Sequence, residues 1–113
     1  MSNGIVAQYL RETRRYRERF GKMSMVFLQV GSFYELYALR DDQDVDEGGD
    51  LKAFNRITSA RVITKGEAKD GRRVMQAGVT STHIEPHIQN MVDHGYTVAV
   101  VSQEHEGAGA PRT

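Results

Sequence analysis

The run Met25-Val26-Phe27-Leu28-Gln29-Val30 offers apolar side chains to both sides of an extended chain. Neighbouring residues of a strand point to opposite faces. The segment therefore needs cover above and below, and belongs in the interior of a sheet rather than at its surface. Gly31 comes next, and is expected to mark a bulge or a close approach by another backbone. Residues 33–39 are expected to continue as a second strand or as a bent extension of the first. In that stretch Phe33 and Glu35 share one face, and Tyr34 and Leu36 share the other.

The elements around this strand are legible from periodicity. Residues 5–20 predict an amphipathic helix, with Ile5, Tyr9, Tyr16 and Phe20 at steps of four, seven and four on one face. Arg11, Arg14, Arg15, Arg17 and Arg19 occupy the rest, and Gly21 is a helix stop. Residues 40–50 read as a mobile acidic loop. A calcium loop starting at Asp42 would put Glu47 where the turn needs Gly and Ala53 where it needs Glu, so that reading fails. Asp50 is placed to cap a short helix over 51–58, with Leu51, Phe54 and either Ile57 or Thr58 inward. Residues 60–65 and 72–77 predict a hairpin joined by a loop from Gly66 to Gly71. A helix over 84–94 places Ile84, Ile88, Met91 and Val92 inward, holds Pro86 in its first turn and stops at Gly95. Residues 96–101 predict a buried β-branched strand. Interleaved strands and helices define an α/β class, a mixed β-sheet flanked by helices. One domain over 1–104 is expected, followed by a flexible tail or linker stub over 105–113.

No run of 18 apolar residues is present, so no membrane partner is expected, and no signal pattern points to export. The absence of cysteine excludes disulfides and fits an intracellular protein, with the compartment open. The net charge of zero makes no case for nucleic acid, but its distribution does. Residues 1–40 carry seven Lys/Arg against three acids, and residues 51–80 carry seven against two. Between them, residues 41–50 carry six acids and no base. Two basic segments can form a phosphate-facing surface while the acidic loop faces elsewhere. The plain alternative is a mixed, solvated surface.

Several segments carry a family resemblance. Val30-Gly31-Ser32-Phe33-Tyr34-Glu35-Leu36 resembles the Gly-Asp-Phe-Tyr-Glu-Leu signature of the N-terminal mismatch-recognition domain of the MutS family. Val62-Ile63-Thr64-Lys65-Gly66 and Met75-Gln76-Ala77-Gly78-Val79 resemble its Leu-Thr-Lys-Arg-Gly and Pro-Met-Ala-Gly-Ile/Val segments. Gly95-Tyr96-Thr97-Val98-Ala99-Val100, with Ser102-Gln103-Glu104, is similar to its Gly-Tyr-(Lys/Ser)-Val-Ala-Ile-Cys-Glu-Gln ending. Order and spacing agree over about residues 5–104. Ser32 stands where the family has Asp, the loop after Tyr37 is longer and more acidic, and Thr80-Ser81-Thr82-His83 replaces Pro-Tyr-His. Gly-Ser-Phe is similar to the divergent branch of large viruses and some organelles.

The resemblance implies a DNA-binding domain that does no chemistry itself. Phe33 would stack on a mispaired base and Glu35 would hydrogen-bond to it. Val30, Gly31 and Ser32 would flank the wedge, with Gln76 and Gly78 in a second loop and Lys65, Arg72 and Arg73 beside the duplex. The implied partner is double-stranded DNA with mismatched or unpaired bases. The implied longer protein is a dimer through C-terminal domains, whose separate ATPase domain takes ATP and Mg, so no cofactor is expected here. Two other readings stay open. His83, Glu85 and His87 form His-x-Glu-x-His, a possible metal or general-base set, though the His-Glu-x-x-His zinc pattern is absent. The fold can also serve as a protein-interaction module without DNA.

Overall fold

The computed structural model describes residues 3–102. The expected domain boundary at residue 104 and the tail over 105–113 lie outside the described residues. Three helices and six strands follow in the order α1 (Asn3–Phe20), β1 (Ser24–Val30), β2 (Phe33–Arg40), β3 (Asp46–Gly48), α2 (Leu51–Thr58), β4 (Val62–Glu67), β5 (Arg73–Thr80), α3 (Ile84–Asp93) and β6 (Thr97–Ser102). A single 3₁₀ turn, Ser81–His83, leads into α3.

The sheet runs β4-β5-β2-β1-β6, with β3 paired to β2 off that path. All pairings are antiparallel except β1 with β6, which makes the sheet mixed. As its apolar run requires, β1 is interior, and Met25, Val26, Phe27 and Leu28 are buried. Phe27 meets Phe54 of α2 edge-on at 5.6 Å on one face. On the other, Tyr9 of α1 packs edge-on against Tyr37 at 5.9 Å and donates a hydrogen bond from Oη to Val26 O at 2.8 Å.

β1 and β3 share one edge of β2. β1 pairs with it only over Leu28–Val30 opposite Phe33–Glu35, and β3 pairs with it at Ala38–Arg40. Leu10 and Tyr9 of α1 crowd the adjacent glycines there. A Cβ on Gly48 would lie 2.6 Å from Leu10 Cδ2, and one on Gly49 would lie 2.7 Å from Tyr9 Oη. Gly48 also has φ +113°, closed to most side chains.

Four expectations change. Gly31 is not a bulge: with φ +61° it is the first central residue of a two-residue hairpin turn, Gly31-Ser32, between paired Val30 and Phe33. Glycine at that position is the mark of a II′ turn, whose twist suits paired strands. The acidic segment is not a mobile loop either. It forms β3 and a turn in which Asp41 accepts hydrogen bonds from Gln43 N and Val45 N at 2.8 and 2.9 Å. Phe20 is exposed, because Tyr16 already sits at the level where β1 begins; Phe20 stacks beyond it on the Tyr16 ring. The buried stripe of α1 is Val6, Tyr9, Thr13 and Tyr16. Val92 is also exposed, being about 75° round the helix from the centre of the Ile84, Ile88 and Met91 stripe.

The other helix signals hold. Asp50 caps α2 by accepting from Ala53 N at 3.2 Å, and its second oxygen accepts from Tyr96 Oη at 2.9 Å. Ile57 packs against the core, and Thr58 turns its hydroxyl back to Phe54 O at 2.7 Å.

Candidate nucleic-acid interface

The β1–β2 hairpin presents Phe33 at its tip with 48% of its surface exposed. Side chains in register on neighbouring strands share a face. Phe33 is flanked by Val30 and Thr80, and Glu35 by Leu28 and Gly78. Two residues further along, Tyr37 lies opposite Gln76. This is the face that α1 covers at Tyr37, so the cover thins toward the tip: Tyr37 is buried, Glu35 is half-buried and Phe33 is exposed. The turn is tied to the end of β5, where Ser81 N donates to Ser32 O at 2.9 Å.

Gly78 is open beside Glu35. It has no positive φ, and a Cβ there would meet only Tyr34 O, at 3.8 Å, an ordinary contact. Neither backbone geometry nor packing requires glycine at this position. The missing side chain leaves room beside the carboxylate for something else to approach. Gln76 is not in a loop but is a buried mid-strand residue, 9% exposed, whose Nε2 donates to Tyr37 Oη at 3.2 Å. Tyr37 in turn donates to Glu35 Oε1 at 2.5 Å. Burial, first, and the bond to the Glu35 carboxylate, second, push the Tyr37 phenol well above its usual range. Sequence reasoning missed Tyr37; its place two residues beyond Glu35 on the same strand face was the available signal. Tyr34, on the opposite face, lines an apolar cleft of about 470 Å³ with Ile88, Tyr96 and Val100.

The basic residues assigned to the same interface lie elsewhere. Arg73 is in register with Arg40, at the opposite end of β2 from Phe33. Seven residue steps along the strand separate the two ends, about 23 Å. There the basic and acidic segments meet, so the acidic stretch does not face away. Arg40 holds Asp46 with two bonds, at 2.7 and 3.0 Å. Arg72 reaches Glu47 and Asp70, both at 2.8 Å, and Arg73 reaches Asp44 at 2.9 Å. The Asp70 and Glu47 carboxylates raise the Arg72 guanidinium further above its normal range. Lys65 is exposed on β4 at a bulge opposite Val74 and Met75, also toward that end. Val30, Gly31, Ser32 and Gly78 do gather around Phe33 and Glu35.

The histidine set does not converge. His83 Nδ1 bonds Thr80 Oγ1 at 2.9 Å, and His87 Nδ1 donates to His83 O at 2.9 Å while its ring packs on Phe54. Among the described residues no three His, Asp or Glu side chains are grouped to hold a metal ion.

A mixed sheet with an exposed aromatic and a carboxylate at one hairpin tip is the architecture that the sequence resemblance implied. A family model for MutS domain I matches residues 4–111, and the chain belongs to that family. Among curated relatives it is 30% identical to a mutS-homologue DNA mismatch repair protein of Acanthamoeba polyphaga mimivirus, over 91% of this chain and 9% of the relative. It is 33% identical to a DNA mismatch repair protein MutS 2 of Halobacterium salinarum, over 88% of this chain and 10% of the relative. It is 25% identical to a DNA mismatch repair protein MutS of Staphylococcus carnosus, again over 88% and 10%. The chain thus spans about a tenth of the length of these relatives.

Proposed function

We propose that this domain reads mispaired or unpaired bases in double-stranded DNA, as the recognition part of a MutS-type DNA mismatch repair protein. The observation that carries the reading is the half-exposed Phe33 on a tied hairpin tip, sharing a face with Glu35, with the unfilled Gly78 position beside it. An apolar side chain pushed between base steps unstacks them and kinks the duplex. Unstacking costs a few kcal/mol, and less where pairing is already faulty. A mismatch is then selected partly by its softness. Stacking on an aromatic ring returns about 1–3 kcal/mol per base.

Glu35 supplies discrimination rather than affinity. Its carboxylate repels the phosphate backbone of any duplex, and a displaced base offers a compensating hydrogen bond that a sound pair does not. The domain binds and does not catalyse. In the longer protein, C-terminal domains form the dimer that clamps DNA, and an ATPase domain with ATP and Mg signals downstream. The paired arginines at the far end add little net charge, so firm binding depends on those other domains.

The test is binding to a duplex with one G·T mismatch, a duplex with one unpaired base and the matched duplex, at fixed low salt. The expected result is tighter binding to the first two, with the preference lost in Phe33→Ala. Equal binding to all three, unchanged in Phe33→Ala, would reject the wedge.

A further inference from the structure

We propose that Tyr37 is a positioning residue for Glu35, held to that task by Gln76, so that the carboxylate is already oriented before DNA arrives. The inference rests on the reading of Glu35 as the group that contacts the base. Three side chains on one face make a continuous chain of hydrogen bonds, from Gln76 Nε2 to Tyr37 Oη at 3.2 Å and from Tyr37 Oη to Glu35 Oε1 at 2.5 Å. A phenol has one proton to give. With the Gln76 amide donating to its oxygen, the Tyr37 hydroxyl directs that proton at the carboxylate.

The two inner members are fixed by their surroundings. Tyr37 is 5% exposed and packed edge-on by Tyr9, and Gln76 is buried in the middle of β5. Glu35 is the outer member and half-buried. Left alone, a glutamate there samples many rotamers and loses that freedom only on binding. Anchoring Oε1 from inside the fold removes part of that loss in advance. Among the described residues no other donor meets the Glu35 carboxylate, so Oε2 remains an acceptor, on a residue whose cross-strand neighbour is the unfilled Gly78. The hydroxyl does nothing for packing that a phenylalanine ring would not do. Its partners account for it.

The experiment uses Tyr37→Phe, which keeps the ring against Tyr9, and Gln76→Met, which removes the amide at similar volume. In the free chain, NMR of the Glu35 side chain should show one rotamer, with contacts from its γ-protons to the Tyr37 ring. In Tyr37→Phe those signals should average over several rotamers. With DNA, Tyr37→Phe should lower the preference for the G·T duplex over the matched one by about three- to ten-fold, the range expected for one net hydrogen bond. Gln76→Met should lower it less. Tyr37→Phe combined with Glu35→Ala should be no worse than Glu35→Ala alone.

Each variant is first checked for an unchanged backbone spectrum. A Glu35 side chain equally ordered in Tyr37→Phe, or a preference that Tyr37→Phe leaves intact while Phe33→Ala and Glu35→Ala abolish it, would overturn the positioning role. Failure of the recognition reading is a different result: Phe33→Ala and Glu35→Ala would themselves leave the preference unchanged.

Discussion

The two ends of the β2–β5 ladder solve opposite problems. At the Arg40–Arg73 end the arginines have found partners, with Arg40 on Asp46, Arg72 on Glu47 and Asp70, and Arg73 on Asp44. At the Phe33–Thr80 end a large aromatic ring is 48% exposed, and a position that would tolerate a side chain has none. The first end is finished by the chain itself. The second keeps an exposed ring and an open flank among the described residues. Charge counted along the sequence points to the first end as the DNA-facing one, yet its basic residues are largely neutralised where they stand.

Substitutions at each end should separate these roles. The largest effect is expected from Phe33→Ala, which should cut the preference for a mismatched duplex about ten-fold or more, in line with the loss of one stacked base. Its effect on thermal unfolding should stay small, because the ring is half exposed. Asp46→Ala should do the reverse. The Arg40–Asp46 pair is doubly bonded, with side chains only 15% and 13% exposed. Removing one partner should destabilise the fold by about 2 kcal/mol in urea titrations and leave DNA preference unchanged.

Gly78→Val comes next. It should fill the space beside Glu35 and weaken mismatch binding about five-fold, while stability holds, since valine suits a strand and the backbone there is unstrained. A mismatch preference that survives this substitution would mean that the open flank is not used.

The smallest effect is a pH response confined to the charged end. Asp41 accepts backbone bonds from Val45 and Gln43, which lower its pKa below 3.8. A carboxylate depressed in the folded state contributes stability above its unfolded pKa, and loses it as pH falls through the folded value. Acidification below about pH 4 should therefore loosen the turn at 41–45, seen as shifts of the Gln43 and Val45 amides. The Ser81 amide, whose bond to Ser32 O contains no titrating group, should stay protected over the same range.

The fold was legible where one residue decides the outcome locally. Asp50 announced α2, Gly21 and Gly95 ended their helices, and the double-faced run Met25–Val30 required an interior strand. Phe33 and Glu35 were legible as a pair because a strand period alone puts them on one face. What the sequence concealed depends on partners distant in the chain. Nothing near Asp46 says that Arg40 will hold it, so a run of acids read as a loop when it was a strand edge. Nor does anything near Arg73 say that Asp44 will meet it, or near Arg72 that Glu47 will. The resemblance put Gln76 in a loop beside the wedge, and its bond to Tyr37, 39 residues away, was not legible.

The most direct test of the central claim is an NMR titration of the isotope-labelled chain with a duplex carrying one G·T mismatch and then with the matched duplex, at the same low salt. The predicted result is shifts confined to Gly31–Glu35 and Gly78–Ser81 with the mismatch alone, abolished in Phe33→Ala. Equal shifts with both duplexes, centred on Lys65, Arg72 and Arg73, or no shift at the hairpin tip with either, would contradict it.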